Sequence, residues 1–301
     1  MDYSEVIATA FLPRPAGIPV PEVVAGGGPA RRLRDACEPV AMHAVWSAGT
    51  NAALAAHGLD FMSSYVGGRA TSLGQPNGAV VASAFAWFEP ALVATLYDAA
   101  AAALPHAELV SIREEATVAS LRAALGVDDP SKEADLLAAA AESAEGAGRP
   151  LFSGLLQRGR PSDPVHRLWW ACDLVREHRG DSHVAAANLA CLGPVEMNVL
   201  TELWVGMPLL SYTATRGWSP EAMQAAIEGL TARGCINGEQ LTESGRALRA
   251  SIEADTDAQE HSIVDALGDR VNEVCAQLEQ WSTRCIEAGA FPPDILKRAA
   301  G

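Results

Sequence analysis

The segment "CINGEQLT", Cys235–Thr242, is where this chain, helical in pattern on both sides, turns back on itself. Asn237-Gly238 between two short runs predicts a minimal β-hairpin with a type I′ turn, whose two central residues both need positive φ. Three helical stretches precede it: "PVEMNVLTELWVG" (194–206), a shorter "LLSYTATRG" (209–217) and "SPEAMQAAIEGLTARG" (219–234). The third carries Ser219 as N-cap, Pro220 at the first helical position and Gly234 just past its end. A long closing helix, "ESGRALRASIEADTDAQEHSIVDALG", follows the hairpin. Helix, helix, helix, hairpin, helix is the order of a winged helix-turn-helix.

A chain of 301 residues has room for two ordinary domains, and 49% hydrophobic with 20% charged residues is a globular balance. No apolar run approaches the roughly 18 residues of a membrane span. The start, "MDYSEV", lacks the basic and apolar regions of a secretory signal. Six cysteines without a CxxC pair, set among apolar neighbours, read as reduced thiols, so the expected compartment is the cytoplasm. Residues 1–34, with five prolines and a triple glycine in "FLPRPAGIPVPEVVAGGGPARRLR", read as an extension lying over the body. Residues 35–160 read as a helical domain, beginning with "RDACEPVAMHAVWSAGTNAALAAHG" up to a C-cap at Gly58. A turn-rich bridge, Gly148–Pro164, leads to a second domain over 161–301, the winged-helix-like part with its C-terminal helices. The expected fold class is mostly α, with the hairpin as its β-structure.

The string "LTESGRALRASIEADTDA" resembles the end of the wing and the following helix of multiple-antibiotic-resistance-regulator (MarR-type) proteins. "YVGGRATSLG" (65–74), "FAWFEPALV" (85–93), "GRPLF" (148–152), "LWWACDLVREHRGDSHVAA" (168–186) and "TRGWS" (215–219) extend the likeness. Together with "LTESGRALR" they look like a largely uncharacterised actinobacterial family of helix-turn-helix proteins, over most of residues 35–290. The resemblance implies the fold and no particular activity.

Charge argues against a DNA reader. The chain carries −15 overall. Between Glu196 and Glu260, four Arg and no Lys face ten acids, a local balance of −6. A recognition helix over 219–234 would present Glu221, Gln224, Ala225 and Glu228 to the groove, and the wing has no Arg at its tip. Proteins that neutralise several phosphates have the opposite sign. DNA is therefore an unlikely partner, a membrane is not expected, and a homodimer stays open.

The chemistry-bearing stretch is "LWWACDLVREHRGDSHVAAANLA", Leu168–Ala190, with Glu177, His178, Arg179, Asp181 and His183 inside seven positions. Gly180 suits the left-handed residue that ends one helix, and Asp181 the N-cap of the next. His178 shares the apolar stripe of Ala171, Leu174 and Val175, so it reads either as a satisfied core histidine or, with Glu177, Arg179 and His183 at the same helix junction, as part of a proton-transfer pair or a polar anchor at the bottom of a cleft. His178 and His183, five apart, are poorly placed to share a metal. In "YVGGRATSLG", a glycine-rich loop, Arg69 reads as an anchor for a ligand carboxylate or phosphate, or as a bridge between helices; Arg149 in "GRPLF" and Arg216 in "TRGW" admit the same two readings, with the bridge ahead. No GK[ST] loop, GxGxxG or GxSxG appears, so neither a cofactor nor a metal is implied. The leading expectation is an intracellular binder of a small organic molecule, an antibiotic or metabolic intermediate, held in a cleft between the two domains. Arg69, Glu177, His178 and His183 would supply polar contacts, and Trp87 and Trp218 the apolar walls. The alternatives are a cofactor-independent enzyme using Glu177 or His178 as general acid/base, and a ligand-responsive transcription regulator.

Overall fold

The computed structural model describes Pro21 and residues 27–300. The proline-rich part of the expected extension, apart from Pro21, lies outside the described residues. Its last residues do not belong to an extension at all: helix α1 runs Pro29–Ala41, with Arg31, Leu33 and Arg34 buried. The helix expected from Arg32 to Gly58 is three helices. Pro39 removes an amide donor near the end of α1, and the chain turns at Met42 into the short α2, His43–Trp46. Ser47 then takes extended backbone and caps α3, Ala48–Ala55, its hydroxyl accepting from the Thr50 amide.

Helices α4 (Phe61–Ala70), α5 (Gly78–Phe85), α6 (Pro90–Ala103), α7 (His106–Leu125), α8 (Ser131–Glu142) and α9 (Pro150–Leu156) follow. Gly67 and Gly68 stand within α4 rather than in a loop. A β-carbon on Gly67 would lie 2.3 Å from that of Ala100, and one on Gly68 2.9 Å from Cδ of Arg113, so the pair lets α6 and α7 approach closely.

The central element is α10, Pro164–Leu189, 26 residues capped by Asp163 through the His166 amide. It passes through Gly180 without a break, which corrects the expected helix end there. Asp181 does cap a helix, but a different one: its carboxylate accepts the amides of Leu151 and Phe152 at 3.1 Å each, at the start of α9. Around α10 the largest apolar cluster draws on Leu33 and Val40 of α1, Leu121 of α7, Leu137 of α8 and Trp169 of α10. It also takes Leu278 and Trp281 from α15 (Val271–Glu287), so this core holds residues from both sides of the bridge at 148–164. The tryptophan N–H groups are paired, Trp169 to Ala41 O and Trp281 to Asp128, as burial of an indole requires.

After α10 the chain enters α11, Pro194–Val205, bent 109° from it. The expected helix over 209–217 shrinks to the 3-10 turn Thr213–Arg216. Helix α12, Pro220–Ala232, is capped by Ser219 as expected, and Gly234 has φ +70°. The hairpin pairs β1, Ile236–Asn237, with β2, Gln240–Leu241, in the register Asn237↔Gln240. Its two-residue loop is therefore Gly238-Glu239, not Asn237-Gly238. Only Gly238 has positive φ (+58°), so the turn is not type I′. Helix α13, Glu243–Ala258, ends one turn before α14, His261–Leu267, splitting the expected closing helix at Gln259-Glu260. Helix α16, Ile295–Ala300, closes the described chain. Among the described residues the fold is mostly helical, with one two-stranded antiparallel sheet, and no single helix is long and apolar enough to cross a membrane.

The hairpin is locked to α13 by close backbone approach. A β-carbon on Gly245 would sit 1.9 Å from the Cys235 carbonyl oxygen, which also accepts the Thr242 amide at 3.0 Å. Gly245→Ala must push the hairpin off the helix, and we expect a loss of about 1–3 kcal/mol in urea unfolding, as for other overpacked sites. An unchanged midpoint would show that the hairpin yields freely.

Candidate functional site

A cavity of about 110 Å³ opens where α1, α2, α4, α10, α11, α13 and α16 converge on the turn Thr213–Arg216. At roughly 10–15 Å³ per water centre, that is room for roughly ten water-sized groups. Helix α10 presents Arg176, Arg179, Gly180 and His183 to it, spaced i, i+3, i+4 and i+7, one face of a helix. Gly180 leaves bare backbone on that face; an added β-carbon would find its nearest atom 3.9 Å away. Arg31 and Arg34 come from α1, Arg69 from α4, Arg216 from the 3-10 turn, Arg249 from α13 and Lys297 from α16. Eight basic side chains line the cavity and, among the described residues, no acidic one does.

Aromatic rings form the other walls: Trp46, Phe61, Tyr65, Trp87, Phe88 and Tyr212. The turn that delivers Trp87 and Phe88 begins at Ala86, whose φ of +47° is unusual for a residue with a β-carbon. The Trp87 carbonyl is fixed by two donors, Asn198 Nδ2 at 2.9 Å and Trp218 Nε1 at 3.0 Å. Trp218 thus braces the turn from behind rather than lining the cavity.

The carboxylates stand one layer back. Glu177, on the flank of α10, receives Arg69 in two parallel bonds of 2.7 Å and Arg176 at 2.6 Å. Burial works to raise its pKa, but Arg69 and then Arg176 outweigh it and hold the group at about 2. A carboxylate so held does not exchange protons near neutrality, and it does not line the cavity. His178 points elsewhere again: Nδ1 lies 2.6 Å from Glu260, and the ring meets Phe152 edge-on at 4.9 Å. Glu177 and His178 are therefore not the acid/base pair in a cleft that their neighbourhood in sequence suggested. Of that expected constellation, Arg69, Trp87 and His183 reach the cavity, while Glu177, His178 and Trp218 stand behind its wall.

His183 rests 5.6 Å from the Trp87 ring, with Nδ1 3.0 Å from Thr256 Oγ1. Burial first, and then Arg249 and Arg179 beside it, push its pKa well below 6.5, so it is neutral. Glu253, on α13, collects Arg31 at 2.5 Å, Arg249 at 2.6 Å and Arg179 on its two oxygens. Burial opposes ionisation there too, and the three guanidiniums override it, driving the pKa far down. Arg216 is different. It stacks over Phe88 at 4.5 Å and Tyr212 at 4.2 Å, donates to the Tyr212 hydroxyl, and makes no ion pair among the described residues. The C-terminal carbonyls of α16 reach the same wall, Ala299 O accepting from Arg31 at 2.6 Å and Arg298 O from Arg34. Lys297, 4% exposed, is brought down to about 7 by burial, against the pull of Glu38 and with the push of Arg216 and Arg34.

Arg31, Arg34, Arg176, Arg249 and Lys297 were outside the expected set, whereas Arg179 belonged to the expected polar cluster on α10 and Arg216 was expected first as a bridge between helices. The stripe Arg176, Arg179, Gly180, His183 was legible in helical spacing once α10 is taken as unbroken. No curated protein and no solved structure matches the chain. A helix-turn-helix family model matches residues 30–292, and the chain belongs to that helix-turn-helix family.

Proposed function

We propose that this protein is an intracellular binder of a small organic anion, a metabolite or antibiotic, held in the cavity between α1, α4, α10, α13 and α16. One observation carries the reading: eight basic side chains and, among the described residues, no acidic one line a cavity in a chain of net charge −15. Such a concentration of like charge is costly in a partly dry site unless an anion completes it. Six aromatic walls add a flat apolar surface suited to a ring, and clefts of this mixed kind are typical of small-molecule sites.

The helix-turn-helix end is read as a winged helix that forms one wall of this site rather than a DNA reader. Glu221, Gln224, Ala225 and Glu228 are exposed on α12, the helix that would enter a groove, and none is basic. A ligand-responsive regulator is the second reading, favoured by one fact: α11, the turn at Arg216 and α13 themselves line the cavity. A tight DNA complex weakened steeply by salt would establish it.

The test compares acids with their neutral isosteres. Benzoate and similar aromatic acids are expected to bind in calorimetric titration, with the matching amides weaker by about tenfold or more, the scale of a charge-assisted contact. Trp87→Ala should weaken the acids as well, by removing one wall. Amides that bind as tightly as acids would sink the proposal.

A further inference from the structure

The ion pairs of the cavity do not balance, and the imbalance specifies the ligand's charge. Seven guanidiniums line it: Arg31, Arg34, Arg69, Arg176, Arg179, Arg216 and Arg249. Their ion pairs draw on five carboxylates. Asp35 serves Arg31 at 3.0 Å and Arg34 at 2.8 Å, and Glu38 serves Arg176 at 3.2 Å and Arg34 at 3.5 Å. Glu177 serves Arg69 and Arg176; Glu253 serves Arg31, Arg179 and Arg249; Asp257 serves Arg179 at 2.8 Å. Among the described residues two positive charges are left over, Lys297 apart.

The surplus is local. On the α13 side, Arg31, Arg179 and Arg249 face Glu253, Asp257 and Asp35, the last shared with Arg34. On the side of α4 and the 3-10 turn, Arg34, Arg69, Arg176 and Arg216 have Glu38, Glu177 and the share of Asp35 that Arg34 takes. Arg216 is the unpaired member, and its buried Nε has no hydrogen-bond acceptor among the described residues. Arg216 is half-buried, and stacking on the rings of Phe88 and Tyr212 offsets only part of the cost of drawing its charge away from water. A monoanion would neutralise half of the surplus and a dianion all of it.

Resting on the anion-binding function proposed above, we infer that the ligand is an organic dianion on a ring-sized apolar body, a phosphate monoester or a dicarboxylate, whose charge meets Arg216 and the Arg69–Arg176 pair. The apolar body then lies toward Trp46, Phe61 and Tyr65, rings that line the same cavity.

Two probe pairs at pH 8 test this on the full chain by calorimetric titration. Phenyl phosphate and phenyl sulfate have the same shape and differ by one charge, because the second phosphate pKa lies near about 6. Phthalate and its monomethyl ester form the dicarboxylate pair. In at least one pair the dianion should bind about tenfold or more tighter than the monoanion, and which pair does so separates the phosphate from the dicarboxylate source. Arg216→Gln leaves no carboxylate orphaned and should shrink that preference to within about threefold, whereas Arg216→Lys, which keeps the charge, should retain most of it. Monoanions binding as well as dianions in both pairs overturn the dianion and leave the anion site standing. If none of the four binds while benzoate does, the dianion is again overturned; if no acid binds at all, the anion site falls with it.

Discussion

Glu253→Gln destabilises the protein by about 3–5 kcal/mol, a drop of about 6–20 °C in melting temperature. The substitution keeps the volume and one acceptor but removes the single charge that Arg31, Arg179 and Arg249 share. Those guanidiniums are 3–6% exposed at the side chain, so water cannot replace what is lost. Glu279→Gln is the matching control. Glu279 also uses both its oxygens, holding Arg32 alone at 2.8 and 3.1 Å, but the two side chains are 43% and 40% exposed. An exposed pair of this kind contributes about 0–1 kcal/mol. Differential scanning calorimetry of the two variants at pH 7 separates them; equal losses would mean that α13 is not held to α1 and α10 by charge. The pH sign follows from the depressed pKa of Glu253. Its contribution is present above the unfolded value near 4.5 and is lost as pH falls below it, so the gap between wild type and Glu253→Gln narrows in acid.

Local signals in the sequence were read well, and long-range ones were not. The caps at Ser219 and the limits of α12 are decided by residues within a few positions of each other, and they came out as expected. The hairpin exists, but its register moved by one residue because pairing of Asn237 with Gln240 places Gly238 first in the loop. Gly180 shows the opposite failure. A glycine-aspartate step looks like a helix boundary, yet α10 is packed along its length by α1, α8 and α9, and tertiary packing outweighs a propensity cost of about 1 kcal/mol. Reading a break there divided the stripe Arg176, Arg179, Gly180, His183 and drew attention to Glu177 and His178, which face away from the cavity. Arg31 and Arg34 are three apart on α1, but no spacing in the sequence joins them to Arg216, Arg249 or Lys297. What the sequence did contain was arginine inside apolar helical stretches, as in "ARRLRDACEPV", where a buried guanidinium implies a partner or a ligand.

Asp181→Asn, by contrast, raises stability, and does so only toward higher pH. Asp181 is 5% exposed, and burial first, then the neighbouring charge of Glu177, lift its pKa from 3.8 to about 7. The amides of Phe152 and Leu151 and the more distant Arg69 pull the other way without prevailing. A folded-state pKa above the unfolded one means stability fully present below about 3.8 and lost as pH rises through about 7. Asp173 on the same helix adds to that slope, raised to about 6 by burial and then by Glu177. Asparagine keeps an oxygen for the α9 amides and carries no proton to lose. In urea unfolding the variant should match wild type near pH 4 and exceed it at pH 8 by up to about 4 kcal/mol, about three pKa units at 1.36 kcal/mol each. A variant weaker than wild type at pH 8 would show that the cap needs a full negative charge. The expected gain ties α9 to the cavity wall, because Glu177 can hold Arg69 and Arg176 in place at least cost while the carboxyl one turn along α10 stays protonated. Affinity for benzoate, whose own charge is constant from pH 6 to 8, should then weaken over that range in wild type more than in Asp181→Asn, the loss common to both following Lys297, which also sits at about 7.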